Sequence, residues 1–252
     1  MADPLADPRY SVEHAKRRLQ EFEAEVAAFG DTHPYASVVE TNDNGTEDTY
    51  KLKLVKPMPV GLPGIASDIL NSLRSSLDQA GYAVAVAAGK SGDDAHFPFD
   101  ENAAIPYGRG KGRSRDLPKE IFDLMVACKP HKTGNTVLWA INKMCNAHKH
   151  EVVVAVPLGV GGMHIKNLHF RGTQYAFFAP NWDTSRNEMK ICAVNHGATV
   201  KYDLQIATFV AIGDIEGIRH QPAVPVFNQM ASEVDRILMA VEAEARRIGL
   251  FV

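Results

Sequence analysis

A chain of 252 residues can bury a sizeable core, and a hydrophobic fraction of 45% is that of an ordinary globular protein. Lys and Arg (27) nearly balance Asp and Glu (30); the net charge of −3 excludes a strongly basic or acidic chain, so any nucleic-acid surface would have to be local. No apolar run approaches the roughly 18 residues of a membrane span, so no membrane partner is expected.

The opening MADPLADPRY lacks the apolar core of a signal peptide. Cys128, Cys145 and Cys192 are scattered, without a C-x-x-C pair, and read as reduced thiols of a cytoplasmic protein. Ser11 is a good N-cap, and Val12, Ala15, Leu19, Phe22, Val26 and Phe29 recur at helical spacing until Gly30. Two strands follow, Ala36 to Glu40 and Tyr50 to Lys56, joined through Asn44-Gly45 as a hairpin. Tyr50, Leu52 and Leu54 alternate with Lys51 and Lys53, which predicts one apolar and one charged face. Pro57, Pro59 and Pro63 make a stiff linker.

Ile65, Ile69, Leu73, Leu77, Ala80 and Val84 predict a long helix over Ile65 to Ala88. Gly89 to Asp116 is polar and Gly-rich, and HFPF (His96 to Phe99) is its apolar anchor; so long a connection is usually functional or disordered. Pro118 starts a short helix stopped by Pro130, and a helix from Asn135 to about Lys149 follows. The periodicity then changes to two. EVVVAVPL, MHIKNLHF, TQYAFFAP, EMKICAVN and TVKYDLQIATFVAI read as five strands with short, antiparallel connections. Phe227, Met230, Val234, Ile237, Val241, Ala245 and Ile248 mark a final helix. The chain, 1–252, thus reads as a single α+β domain without internal repeats. Its sub-regions are a mainly helical part over 1–150, an antiparallel sheet of about five strands over 151–220 and a C-terminal helix over 221–252; the N-terminal hairpin stands separately.

Chemistry concentrates at INKMCNAHKHEVVV. Val137, Leu138, Ile141, Met144, Cys145 and His148 form the buried stripe of the helix, and Asn142, Asn146 and His150 a second stripe beside it. Lys149 and the histidines could simply close the helix end, and His148 alone reads best as a satisfied core histidine. On the preceding long helix, Arg74 and Asp78 lie four apart at the rim of the Leu73/Leu77 stripe. Packing the two helices would bring Arg74 and Asp78 against Asn146, Lys149 and His150. Such a network either fixes helix register or binds and turns over a ligand; the catalytic candidates are Arg74, Asp78, Asn146, His148 and His150.

The series LRSSLDQ, FPF, CKPH and NAHKHE over Ile65 to Val156 resembles a family of uncharacterised bacterial proteins. Their pattern is an Arg-x-x-Leu-Asp-His helix, a Phe-Pro segment, a Gln-Pro-Tyr turn and an Asn-x-x-Lys-His helix end. Arg74, Leu77, Asp78, Asn146, Lys149 and His150 match; Gln79 and His131 replace the family's histidine and tyrosine. The Arg-x4-His helix is also similar to that of HEPN-type ribonucleases, which implies an arginine phosphate clamp and a histidine acid/base. Here Gln79 stands at the histidine position and cannot exchange a proton, so His148 or His150 would have to replace it.

Other signals are weaker. Arg109, Lys111, Arg113 and Arg115 in YGRGKGRSRD could track a phosphate backbone, but the pattern is more simply a solvated loop, so nucleic acid is not favoured as a partner. GKSGDD follows a helix and lacks the upstream glycine of a phosphate-binding loop. His164 and His169 lie five apart on one strand, hence on opposite faces, so no metal site is predicted; nor is any cofactor, while homo-oligomerisation stays open. Two classes follow: a non-catalytic binding or structural protein in which the Arg/Asp/Asn/His cluster is scaffold, and an RNA- or phosphate-directed enzyme using that cluster. The absence of a complete catalytic motif favours the first.

Overall fold

Asp3 sets the start of the first helix. Its carboxylate accepts the Leu5 N–H at 2.9 Å, and α1 (Ala6–Asp31) begins well ahead of Ser11. Pro8 is tolerated because the first turn needs no N–H from it. Ser11 is therefore not the cap; its hydroxyl serves a contact with the next long helix instead. The computed structural model describes residues 3–105, 114–146, 153–156, 163–171, 175–179, 181–183, 185–206 and 209–252. After α1 come β1 (Tyr35–Thr41), β2 (Glu47–Leu54), α2 (Leu62–Ala87), α3 (Lys119–Ala127), α4 (Thr136–Asn146), β3 (Val153–Val156), β4 (Met163–Arg171), β5 (Tyr175–Phe177), β6 (Glu188–Asn195), β7 (Thr199–Ile206), β8 (Phe209–Ile212) and α5 (Ala223–Arg247). The α+β class stands, and among the described residues no helix is long and apolar enough to cross a membrane.

The chain divides into two compact units. The first comprises Met1–Glu23, Val60–Val154 and Ile212–Val252 and is helical. At its centre is α2, which contacts α4 and α5, while α5 also meets α3 and α4. The buried side of α2 is wider than the predicted stripe, with Ala66, Leu70 and Ala85 joining Ile69, Leu73, Leu77, Ala80 and Val84. A helix covered on several sides needs that width. From α1, Phe22 meets Phe227 of α5 edge-on at 5.4 Å, and Pro8 offers its carbonyl to the buried hydroxyl of Ser76 at 2.9 Å. Asn135 caps α4, accepting the Leu138 N–H at 3.0 Å while donating to Glu233 of α5 at 2.7 Å.

A close approach seats the long connection on α2. A Cβ at Gly81 would stand 2.0 Å from the carbonyl oxygen of Ala95, so only glycine lets that backbone lie on the helix. The described parts of Gly89 to Asp116 are irregular, as predicted. Phe97 is buried, and its ring centroid lies 4.9 Å from that of the half-buried Phe99. Asp100 and His131 form an isolated bridge that ties the end of this segment to the turn after α3.

The second unit comprises Ala24–Pro59 and Ala155–Ala211. Its main sheet is antiparallel, in the order β1-β2-β6-β5, so the predicted hairpin is present but forms half of this sheet instead of standing apart. Asn42 shapes the turn by accepting the Thr46 N–H at 2.9 Å, and Gly45 takes φ +64°. A second sheet is the ribbon of β4 and β7, and β3 pairs with β8 in a third. The predicted strand over 199–212 is thus two strands in two sheets. Nor is the charged face of β2 wholly solvated: Lys51 is 4% exposed and bonds Glu188 at 2.9 Å and Glu40. A register shift between Tyr50 and Lys51 against β6 brings Glu188 beside it. Burial lowers the pKa of Lys51, but its bonds to Glu40 and Glu188 outweigh that and hold it above the ordinary lysine value.

Candidate functional site

The polar cluster expected between the two central helices exists, with different partners. Arg74 projects from the rim of the α2 stripe toward α4 and donates from Nη1 to the Asn142 side-chain oxygen. Its Nε lies 3.4 Å from Asp78 Oδ2, one turn along. The guanidinium carbon sits 4.8 Å from the centroid of the Phe99 ring, a cation–π contact that covers one face. Asp78 accepts the backbone N–H of Phe97 at 2.9 Å through Oδ1, and His96 Nδ1 is 3.7 Å from the same oxygen. The side chains of Arg74 and Asp78 keep 21% and 26% of their exposure, so the pair is half-buried.

Asn146 does not reach this pair. Its amide donates to the Asn142 carbonyl at 2.8 Å, one turn back in its own helix. Among the described residues, the contact between the helices at this cluster is made by Asn142, one turn before Asn146 on the same stripe. His148, Lys149 and His150 lie outside the described residues, as do Arg109, Lys111 and Arg113. Arg115 is described, is exposed, and pairs with Asp94. Sequence reasoning passed over His96 and the Phe97 amide because a loop carries no periodicity; the apolar pair in HFPF was the available signal.

Burial raises the Cys145 thiol to about 11, an effect the nearby Arg74 charge only partly offsets. Burial likewise pushes up Cys128 and Cys192. Thiolate is the reactive form, so these are inert thiols at neutral pH. Gln79, at the position of the HEPN histidine, faces α1, where its side-chain oxygen accepts the Ser11 hydroxyl at 2.9 Å. That contact borders a groove of about 570 Å³ lined by Pro4, Pro8, Tyr10, Tyr82 and Val86, among others.

In the second unit a shallow groove of about 510 Å³ is lined by Ser37, Tyr50, His169, Lys201 and Tyr202, among others. Beside it β4 carries a bulge at Asn167, which takes φ +52°. Through the bulge, His164 and His169 pair in register with Gln205 and Lys201 of β7. Among the described residues no group of three or more His, Cys, Asp or Glu side chains is gathered as a metal site requires. No family model matches the chain, nor does any curated protein or solved structure.

Proposed function

We propose that the chain is a non-catalytic binding protein in which Arg74, Asp78 and Asn142 form a structural clasp. The observation that carries this reading is the commitment of Asp78: one carboxylate oxygen takes the Phe97 N–H, the other faces Arg74. Arg74 bonds Asn142 and lies over the Phe99 ring, while its buried Nε, 3.4 Å from Asp78, has no hydrogen-bond partner. A phosphate clamp needs guanidinium donors aimed at a ligand. Here they tie α2, α4 and the HFPF segment together. A polar network between helices fixes register, and the unbonded Arg74 Nε is held there by its charge attraction to Asp78. The histidine of the HEPN pattern is missing from α2 as well, since Gln79 stands at its position and is turned to Ser11.

The test is incubation of the purified protein with end-labelled single-stranded RNA, resolved on a gel. The clasp reading expects intact RNA with the parent and with Arg74→Ala, and a lowered melting temperature for the variant. Cleavage by the parent that disappears in Arg74→Ala would overturn it in favour of a HEPN-like ribonuclease.

A further inference from the structure

The geometry points to a single-stranded nucleic-acid surface on the second unit, built from one face of the β4–β7 ribbon and the aromatic edge at β5. It rests on the reading of the chain as a non-catalytic binder and names the partner. The ribbon register sets out the charge. Thr199, Lys201 and Asp203 alternate on one face of β7, and their cross-strand partners are Arg171, His169 and Lys166. The face therefore gathers three cations and a histidine against one carboxylate, all exposed. The carboxylate, Asp203, accepts the Asn167 amide at 2.6 Å. Lys166, Arg171 and Lys201 form no ion pair with a described residue. Other surface cations, such as Lys16, Arg18, Lys119, Arg236 and Arg247, are paired. Unpaired cations on a ribbon in a chain of net charge −3 are a local positive patch of the kind polyanions seek.

The rings supply the second half. Phe170, on the opposite side of β4 from Arg171, stacks on Tyr175 with centroids 4.8 Å apart and planes 14° apart. Phe177 meets Phe170 edge-on at 5.6 Å and Tyr175 at 5.9 Å. β5 is the outermost strand of the main sheet, and there Tyr175 is 61% and Phe177 50% exposed. Single apolar residues at the surface are unremarkable, but three rings in mutual contact, two of them on an edge strand, form a patch. Nucleic-acid bases stack on aromatic faces without sequence preference while cations track the phosphates, and β4 carries the cations on one side and meets the exposed rings on the other, so a strand passing over its edge would use both. An acidic polypeptide would satisfy the cations and leave the rings unused; a duplex would hide its bases from them.

The test uses the full chain and fluorescein-labelled oligo(dT) and oligo(rU) of about 15 nucleotides, a length spanning usual site sizes, read by fluorescence anisotropy. Binding is expected, with affinity falling by a log–log salt slope of about −2 for three phosphate contacts. Tyr175→Ala and Phe177→Ala should each weaken binding by about 5- to 150-fold, the range that stacking of one base supports. Arg171→Glu and Lys201→Glu should flatten the salt slope. Comparison of dT with rU distinguishes DNA from RNA as the preferred partner, either of which supports the inference. No binding at low salt would overturn it, and so would equal affinity for duplex, equal competition by polyglutamate, or affinities unmoved by the ring variants. Light scattering that shows a dimer dissociated by Tyr175→Ala would also overturn it, assigning the edge to a second copy. Oligonucleotide recovered intact but unbound defeats this inference alone; oligonucleotide recovered cut defeats the non-catalytic reading.

Discussion

Removing the Asp78 carboxylate tests the clasp most directly. Asp78→Ala deletes the acceptor of the Phe97 N–H and the counter-charge of Arg74 together. A hydrogen bond to a charged acceptor contributes about 1.5–3 kcal/mol. The ion pair adds less than about 1 kcal/mol, because both side chains are partly solvated and screening discounts the interaction. The loss of about 2–4 kcal/mol falls at the low end of the roughly 3–5 kcal/mol expected had the pair been fully buried. For a chain of this size each kcal/mol moves the melting temperature by about 2–4 °C, so the variant should melt about 5–15 °C below the parent. Asp78→Asn provides the contrast: its side-chain oxygen can still accept from Phe97, and only the charge is lost, so it should melt within about 4 °C of the parent. Calorimetry measures both shifts, and hydrogen exchange at the Phe97 amide places them, with protection lost in the Ala variant and kept in the Asn variant. An Asp78→Ala melt that overlays the parent's, or an Asn variant as damaged as the Ala one, would refute the reasoning.

Gly81→Ala should be destabilising by about 1–3 kcal/mol or more, since the new methyl group would overlap the Ala95 carbonyl; an unchanged melt would show that the connection is not seated on α2. Lys51→Met should cost up to about 3–5 kcal/mol by leaving the buried Glu188 with only Lys53, 4.0 Å away, and the double variant Lys51→Met/Glu188→Met should recover much of that loss. The raised pKa of Lys51 gives a sign as well. Its contribution is fully present below the ordinary value of 10.5 and is lost as pH climbs through the higher folded value, so the parent's stability should fall on the alkaline side and Lys51→Met should show a smaller fall. Cys145, with its thiol at about 11, should resist iodoacetamide at neutral pH in the folded protein, as followed by mass spectrometry; labelling at the rate of a free thiol would contradict its burial.

What the sequence disclosed follows from which interactions are local. The stripes of α2, α4 and α5 were legible because helical periodicity is written within one segment, and Arg74 and Asp78 could be placed at the rim of one of them. The start of α1 was not, because Ser11 has the chemistry of an N-cap, while the Asp3 carboxylate that holds the Leu5 N–H lies ahead of the apolar stripe. Long-range pairing left no local trace either. Nothing in EDTYKLKL says that β2 lies beside β6, and the unbroken alternation of TVKYDLQIATFVAI gave no sign that its halves pair in different sheets. The cluster shows the same division: Asn142 was visible as a polar position on α4, whereas its choice over Asn146 depends on where two helices cross. The ring edge was least legible, since Tyr175 and Phe177 read equally well as core residues of a strand.

The two units use their polar groups in opposite ways, and that difference bears on where binding resides. In the helical unit the charged groups of the central cluster are turned inward: Asp78 holds a loop amide, Arg74 an asparagine and a ring, Asn135 a helix end and Glu233. Groups so engaged would have to break native contacts before meeting a ligand, and any affinity would be reduced by that cost. On the ribbon of the second unit, Lys166, Arg171 and Lys201 have no ion pair with a described residue to surrender. The neighbouring rings already touch one another, so stacking a base on them requires little ordering of side chains. Edge strands are usually blunted by charge to prevent association. β5 instead presents two large rings, with the cations set back on β4 and β7. An edge left apolar beside an unpaired cationic face is disadvantageous in isolation, because it exposes ring surface and concentrates like charge. A polyanion carrying stacked bases would relieve both at once, and on that balance the proposed partner is assigned to the second unit rather than to the clasp.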